Sequence, residues 1–230
     1  VYRSLVRAKV AVLRRQQSQA GSGAFEAASR EYQQYMGLTL RNIEPPSPRL
    51  LITSGLSGSG KSTLAHKLAE QLGMICVRSD VERKRLAGLD ALQRSSSGIG
   101  EGLYSARRTR DTYALLEQIC GQIVKAGFTV IVDAAFLQRQ ARERFRKLAS
   151  QLGVPLQVVA CNAAVEELRA RIERRQAAAR DPSEATLEVL NAQLESQQPP
   201  QAEEADCLIE VDTAAADYLE KTIERLSDCS

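Results

Sequence analysis

Aromatic residues make up only 4% of this 230-residue chain, and tryptophan is absent. A channel for single-stranded nucleic acid is built from stacking aromatics, so a polynucleotide substrate is disfavoured. Histidine occurs once, at His66, within a helical segment where it reads as a surface or packing residue. Lysine and arginine (31) nearly balance aspartate and glutamate (28), and a net charge of +3 creates no strong field for a polyanion. No apolar run approaches the roughly 18 residues needed to span a bilayer, and no signal-peptide pattern opens the chain. Five cysteines, Cys76, Cys120, Cys161, Cys207 and Cys229, are scattered without a C-x-x-C pair. Four stand in apolar segments, where a thiol behaves as a small hydrophobe, and the set points to a reducing, cytoplasmic setting. No internal repeat is visible. The chain starts at Val1 rather than methionine, as a fragment or processed product would.

What is present is more informative. Gly55-Leu56-Ser57-Gly58-Ser59-Gly60-Lys61-Ser62 fits G-x-x-x-x-G-K-[ST], the loop that cradles phosphates. An apolar run at 50–54 precedes it, and Leu64, Leu68 and Leu72 follow at helical spacing. Strand, glycine loop and helix are the order the chemistry requires. Glycines let backbone amides converge on a phosphate, and the helix N-terminus adds its partial positive charge. Gly55, Ser57, Gly58, Ser59, Gly60, Lys61, Ser62 and Thr63 are therefore the expected nucleotide contacts. Lys61 should reach the β- and γ-phosphates of ATP, and Ser62 should ligate Mg²⁺.

Residues 1–43 read as helices, with Leu5, Val6, Val10 and Leu13 on an apolar stripe among Arg3, Arg7, Lys9, Arg14 and Arg15. A basic amphipathic helix could lie on a membrane or on nucleic acid, but the stripe is expected instead to pack on something outside this chain or back onto the core that follows. Residues 44–48, with three prolines, form a stiff linker and boundary. From residue 49 to 230, strand candidates at 50–54, 74–78, 129–133, 156–161 and 207–211 alternate with helical stretches, including 103–125 and 137–152. Near-continuous apolar strands separated by helices predict a parallel sheet covered on both faces. The ligand site then lies at the carboxyl ends of the strands. The segment 94–102 lacks periodicity and reads as a mobile loop.

Chemistry-bearing residues stand at those ends. Val130-Ile131-Val132-Asp133 delivers one carboxylate to Mg²⁺, a hard cation that needs oxygen. Ala134 follows, where ATPases that activate water commonly place glutamate, so transfer onto a bound acceptor is favoured. No Asn-Lys-x-Asp or Thr-Lys-x-Asp element supports guanine selectivity. Asp80, after the second strand, is placed either to accept the proton of an attacking hydroxyl or to cap the next helix. Arg83 would face the same cleft, with Lys84 and Arg85 solvated. Arg171 and Arg174, one helical turn apart, could close over transferring phosphates, whereas Arg169 and Arg175 read as solvated surface. Asp181-Pro182-x-Glu184 reads as a helix cap with a capping-box acid. The segment from Arg171 to Arg180 is expected to be a mobile lid, too rich in arginine to pack permanently in a core.

These elements together resemble the P-loop kinases grouped with polynucleotide kinase, gluconate kinase, chloramphenicol phosphotransferase and zeta toxins. The likeness runs from Leu50 to about Asp212. It rests on Gly55 to Ser62, Arg78-Ser79-Asp80-Val81-Glu82-Arg83, Val130 to Phe136, and Leu168 through Ala185. It extends to the C-terminal kinase-like half of bacterial two-domain proteins whose N-terminal half resembles aminoglycoside phosphotransferases. The resemblance implies a three-layer α/β sandwich with a parallel sheet in the order 2-3-1-4-5, Mg-ATP as donor, Asp80 as base beside Arg83, and an arginine lid. It also implies that residues 1–43 are the tail of an upstream domain. A glycine-histidine lid element typical of gluconate kinases is not evident. The function expected is an ATP-dependent kinase acting on a hydroxyl of a small molecule. A polynucleotide 5′-kinase and a non-catalytic ATP-binding module for an upstream domain are the alternatives.

Overall fold

The structure, a computed structural model, describes residues 1–43, 47–93, 102–178 and 182–229. The chain divides into two compact units, Val1–Ser47 and Pro48–Ser230. The first is a helical hairpin of α1 (Tyr2–Gln16) and α2 (Gly23–Ile43). The apolar stripe of α1 does not make the hairpin contact: Leu5, Val6, Val10 and Leu13 are 36–47% exposed. The buried face carries Ser4, Ala8 and Ala11 instead, and Ser4 shares a 2.8 Å hydroxyl–hydroxyl hydrogen bond with Thr39 on α2. Small side chains let two helix backbones approach closely, which leaves the larger ones outside.

The second unit alternates strands and helices. In order these are β1 (Leu50–Ser54), α3 (Lys61–Leu72), β2 (Ile75–Arg78), α4 (Ser79–Leu86), α5 (Ala106–Lys125), β3 (Val130–Asp133), α6 (Arg139–Leu152), β4 (Leu156–Asn162), α7 (Val165–Ala178), α8 (Leu187–Ser196), β5 (Cys207–Asp212) and α9 (Tyr218–Asp228). The five strands pair in parallel in the order β2-β3-β1-β4-β5. This is a P-loop NTPase-like α/β fold, and the expected strands agree with the observed ones to within a residue.

Alternation along the strands divides the core. Leu50, Ile52, Val130, Val132, Leu156 and Val158 face Leu116, Cys120 and Val124 of α5 and Phe145 and Ala149 of α6. Leu51, Ile131, Val159, Cys161, Ile209 and Val211 face α3 and α9 on the other side. Each such large side chain contributes about 1.5–3 kcal/mol relative to exposure. The inner strands β1, β3 and β4 are buried on both faces, which is why they read as continuous apolar runs, whereas the edge strands β2 and β5 are only partly covered.

Two sequence expectations are corrected. Cys207 and Cys229 are joined in a disulfide, leaving Cys76, Cys120 and Cys161 as free thiols. The pair is 22 residues apart and meets only because α9 packs back along β5. The helix expected from the Asp181 cap starts later: Thr186 is the cap of α8, its hydroxyl accepting the Val189 amide. Asp181 itself, like 94–101 of the expected loop, lies outside the described residues. Among the described residues, no helix is long and apolar enough to cross a membrane.

Candidate active site

The carboxyl ends of the strands open onto one cavity of about 370 Å³. After β1 the chain turns through 55–60, and Gly60, in a left-handed conformation, precedes the first turn of α3. Gly58 has φ +83°, and a β-carbon there would stand 2.6 Å from the Leu168 carbonyl oxygen. Both facts exclude a side chain. Gly58→Ala should therefore lower stability by about 1–3 kcal/mol, through backbone strain and the displaced contact. Chemical denaturation measures this, and a change under about 0.5 kcal/mol would mean the loop relaxes freely.

The loop is tied down by neighbours far away in sequence. The Gly55 amide donates to the Ala135 carbonyl at 3.0 Å. Thr213, just past β5, donates through its hydroxyl to the Ser59 carbonyl at 2.9 Å. Arg171 on α7 donates to the Thr213 hydroxyl at 2.8 Å and to the Gly58 carbonyl at 3.4 Å. From α8, the Gln193 side-chain oxygen accepts the Ser57 amide at 2.8 Å.

Inside the cavity, Lys61 Nζ donates to the Leu56 carbonyl at 2.7 Å. Burial pulls the Lys61 ammonium below its ordinary pKa, against the opposing pull of Asp133, Cys161 and Asp80. Asp133, at the end of β3, is buried, which pushes its carboxyl up. Arg78, the Ser62 hydroxyl hydrogen-bonded to it, and Lys61 counter that push. The Arg78–Asp133 ion pair is 2.9 Å. Arg78 was not singled out from the sequence. Its role follows from the β2–β3 register, which sets Arg78 directly beside Asp133.

Across the cavity, Asp80 sits in the first turn of α4 and pairs with Arg83 at 2.8 Å. The helix cap position is Arg78, so Asp80 does not cap α4. The Arg83 guanidinium lies 5.0 Å from the Tyr104 ring centre. Burial pushes the Tyr104 phenol up to about 12, so it stays protonated and able to donate.

Several expected side chains lie elsewhere. Lys84 is not solvated: it is 2% exposed and pairs with Glu184 at 3.0 Å, so Glu184 is an ion-pair partner rather than a capping-box acid. Arg85 is exposed and pairs with Glu82. Arg174 is 69% exposed, is bound to Glu167, and does not line the cavity. Arg175 does line it, donating to the Ala185 carbonyl at 3.0 Å. The two arginines differ because α7 turns the 171/175 face inward, a pairing at i, i+4 rather than i, i+3. The expected lid is likewise anchored where it is described: Ile172 is fully buried with Leu168 and Leu190, and Arg171 is bonded to the phosphate loop. Residues 179–180 of that segment lie outside the described residues.

A glycine loop closed onto a helix N-terminus, with a lysine and a strand-end carboxylate behind it, defines a P-loop nucleotide site. The AAA domain family (AAA_33) matches residues 50–200, and the chain belongs to this P-loop kinase-like family. An uncharacterised protein of Mycobacterium tuberculosis (strain ATCC 25618 / H37Rv) is 29% identical over 188 residues, covering 82% of this chain and 36% of that protein. The chain thus spans about a third of the mycobacterial relatives it matches. The gluconokinase of Gluconobacter oxydans (strain 621H) is 31% identical over 164 residues, covering 69% of this chain and 82% of that enzyme. Among solved structures, Chaetomium thermophilum Kti12 in complex with ADP-AlF3 superposes with a TM-score of 0.61 at 18% identity, covering 78% of this chain and 98% of that one.

Proposed function

We propose that this chain is an ATP-dependent phosphotransferase that moves the γ-phosphoryl group of Mg-ATP to a hydroxyl of a small-molecule acceptor. One observation carries the reading: Lys61, the Ser62–Asp133 pair and Asp80 line a single cavity with space between them. Phosphoryl transfer is mainly positioning and charge stabilisation, and these groups divide that work. The loop amides and Lys61 hold the polyphosphate, and Arg171 and Arg175 add charge from α7. Asp80, oriented by Arg83, accepts the proton of the acceptor hydroxyl. Tyr104 and Arg83 shape the acceptor side.

The Ser62 hydroxyl and Asp133 carboxylate are adjacent hard oxygen donors, which fits Mg²⁺ held partly by phosphate and water. When bound there, Mg²⁺ would neutralise charge on the transferring group. The exposed stripe Leu5, Val6, Val10 and Leu13 supports a second part of the reading, that α1 serves an upstream aminoglycoside phosphotransferase-like domain in the longer protein.

The test is Asp80→Asn. The amide keeps the shape but cannot take the proton, so transfer should fall about 10²- to 10⁴-fold with ATP affinity little changed. Acceptor-dependent ADP release, over a panel of polyols, sugars and aminoglycosides, measures the first quantity, and nucleotide titration measures the second. Wild-type turnover by Asp80→Asn would remove the base from this mechanism. Nucleotide binding without turnover on any acceptor would favour a binding module.

A further inference from the structure

Thr213, just past β5, is 8% exposed and does not line the cavity, yet it touches two residues that do, Gly60 and Arg171. It packs directly on Gly60, where a β-carbon would meet the Thr213 side chain at 3.2–3.3 Å. Its hydroxyl has one proton to donate and lone pairs that accept. A guanidinium only donates, so the 2.8 Å bond from Arg171 Nη1 makes the Thr213 oxygen an acceptor there. The hydroxyl proton is left for a carbonyl. Two are in reach, Ser59 at 2.9 Å and Asn162 at 3.2 Å, and the Asn162 carbonyl already takes the Thr213 amide at 3.0 Å. The proton therefore goes to Ser59, and the charged donor behind it strengthens that bond.

Peptide geometry carries the effect across the loop. The Ser59 carbonyl and the Gly60 N–H belong to one peptide group, and among the described residues no peptide bond is cis. In a trans peptide the two point to opposite sides. Holding the carbonyl on Thr213 thus turns the Gly60 N–H away from Thr213, towards the face on which Gly60 lines the cavity with Lys61 and Ser62. Amides on that face of a P-loop cradle the α- and β-phosphates.

Arg171 is bound into the same node. Its Nε donates to Glu167 at 2.7 Å, Nη1 to the Thr213 hydroxyl and the Gly58 carbonyl, and Nη2 to the Thr213 carbonyl at 3.2 Å. All three nitrogens are engaged by protein. Resting on the nucleotide reading above, we propose that Thr213 is a positioning residue for nucleotide binding and that Arg171 acts through it, beyond the charge it adds. Together they aim the Gly60 amide at a phosphate that ADP and ATP share, so the two nucleotides depend on them alike.

Calorimetric titration of the full chain with ADP and with a non-hydrolysable ATP analogue, both with Mg²⁺, tests this in variants that leave the charge unchanged. Thr213→Val keeps the shape and loses the hydroxyl, whereas Thr213→Ser keeps the hydroxyl. Affinity for both nucleotides should fall about fivefold or more in Thr213→Val and stay within about twofold of wild type in Thr213→Ser. Wild-type affinity in Thr213→Val, whatever its melting temperature, would leave the hydroxyl a structural bond only and overturn the proposal. Equal losses in the two variants would assign the effect to packing and overturn it as well. Arg171→Lys keeps the charge but cannot fork onto Thr213 and Gly58, and should weaken both nucleotides about threefold or more. Combined with Thr213→Val, it should cost less than the product of the two single losses, because the two residues act as one unit. Multiplying losses would overturn the part assigned to Arg171. If Thr213→Val does not fold, Arg171→Lys decides alone, and wild-type affinity there would overturn the proposal. A wild-type chain that binds neither nucleotide would instead remove the nucleotide reading itself, a different and separable result.

Discussion

Replacing Lys61 by alanine should lower phosphoryl transfer about a thousandfold or more, while the protein melts no lower than the wild type. On the mechanism proposed above, the first effect follows from removing the ammonium that would meet the β/γ-phosphates. The second follows from what that ammonium costs the folded chain. Burial holds Lys61 below its ordinary 10.5, so the unfolded chain binds the proton more strongly than the folded one does. The sign is that of a penalty. It is present in full below the lowered folded value and shrinks as pH rises from there towards 10.5. Alanine removes it, offset by the lost bond to the Leu56 carbonyl. Acceptor-dependent ADP release measures the first effect, and thermal melts at neutral pH measure the second. A folded variant with undiminished transfer would sink the P-loop assignment.

Replacing Arg142 by alanine should destabilise the second unit by about 3–5 kcal/mol, the typical cost of stripping one partner from a buried ion pair. Arg142 is fully buried and bidentate to Glu204, at 2.7 and 2.9 Å. It also donates to the carbonyls of Phe136 and Gln198, both at 2.8 Å. Phe136 holds a left-handed φ of +43°, costly for an aromatic residue, and lies between the rings of Tyr113 and Phe145. The Arg142 bond thus supports the strained turn that follows the Walker-type Asp133. Burial pushes the Glu204 carboxyl up, but hydrogen bonds from Arg142 and Gln201 outweigh it, and the net shift is below the ordinary 4.5. For a lowered carboxyl the contribution is full above about 4.5 and is lost as pH falls through the folded value. Denaturant melts of Arg142→Ala should therefore show the largest deficit near neutral pH and a smaller one in acid, where Glu204 is neutral in either protein. The double variant Arg142→Met with Glu204→Leu should recover only the part due to the stranded carboxylate, because the Phe136 and Gln198 carbonyls still lose their donor. A single-variant deficit below about 1 kcal/mol at neutral pH would show that the pair is replaceable by water.

The inner strands β1, β3 and β4 were legible because they are buried on both faces, so Leu50, Leu51 and Ile52 must all be apolar whatever surrounds them. The phosphate loop was legible because its glycines answer to local backbone geometry. Lys61, Ser62 and Asp133 followed from their offsets along the chain. Arg78, Arg175, Thr213 and Gln193 were not legible. Each acts on the site through a partner that sequence spacing does not bring near, as Gln193 does 136 residues from Ser57. Helical arithmetic put Arg171 and Arg174 on one face, but the packing of α7 decided that 171 and 175 point inward.

By itself, then, the sequence determined the strand–loop–helix at residues 50–72, the alternation that builds the parallel sheet, and the residues at its carboxyl edge. These depend on period, local conformation and composition. Only the tertiary structure decided which charges are neutralised by which. Lys84 went to Glu184, Arg78 to Asp133 and Arg142 to Glu204 because a buried charge must find an opposite one across the fold. It likewise joined Cys207 to Cys229 and set small residues, rather than the leucines, between the first two helices. Such pairings are properties of distance in space, which a chain acquires only once it has folded.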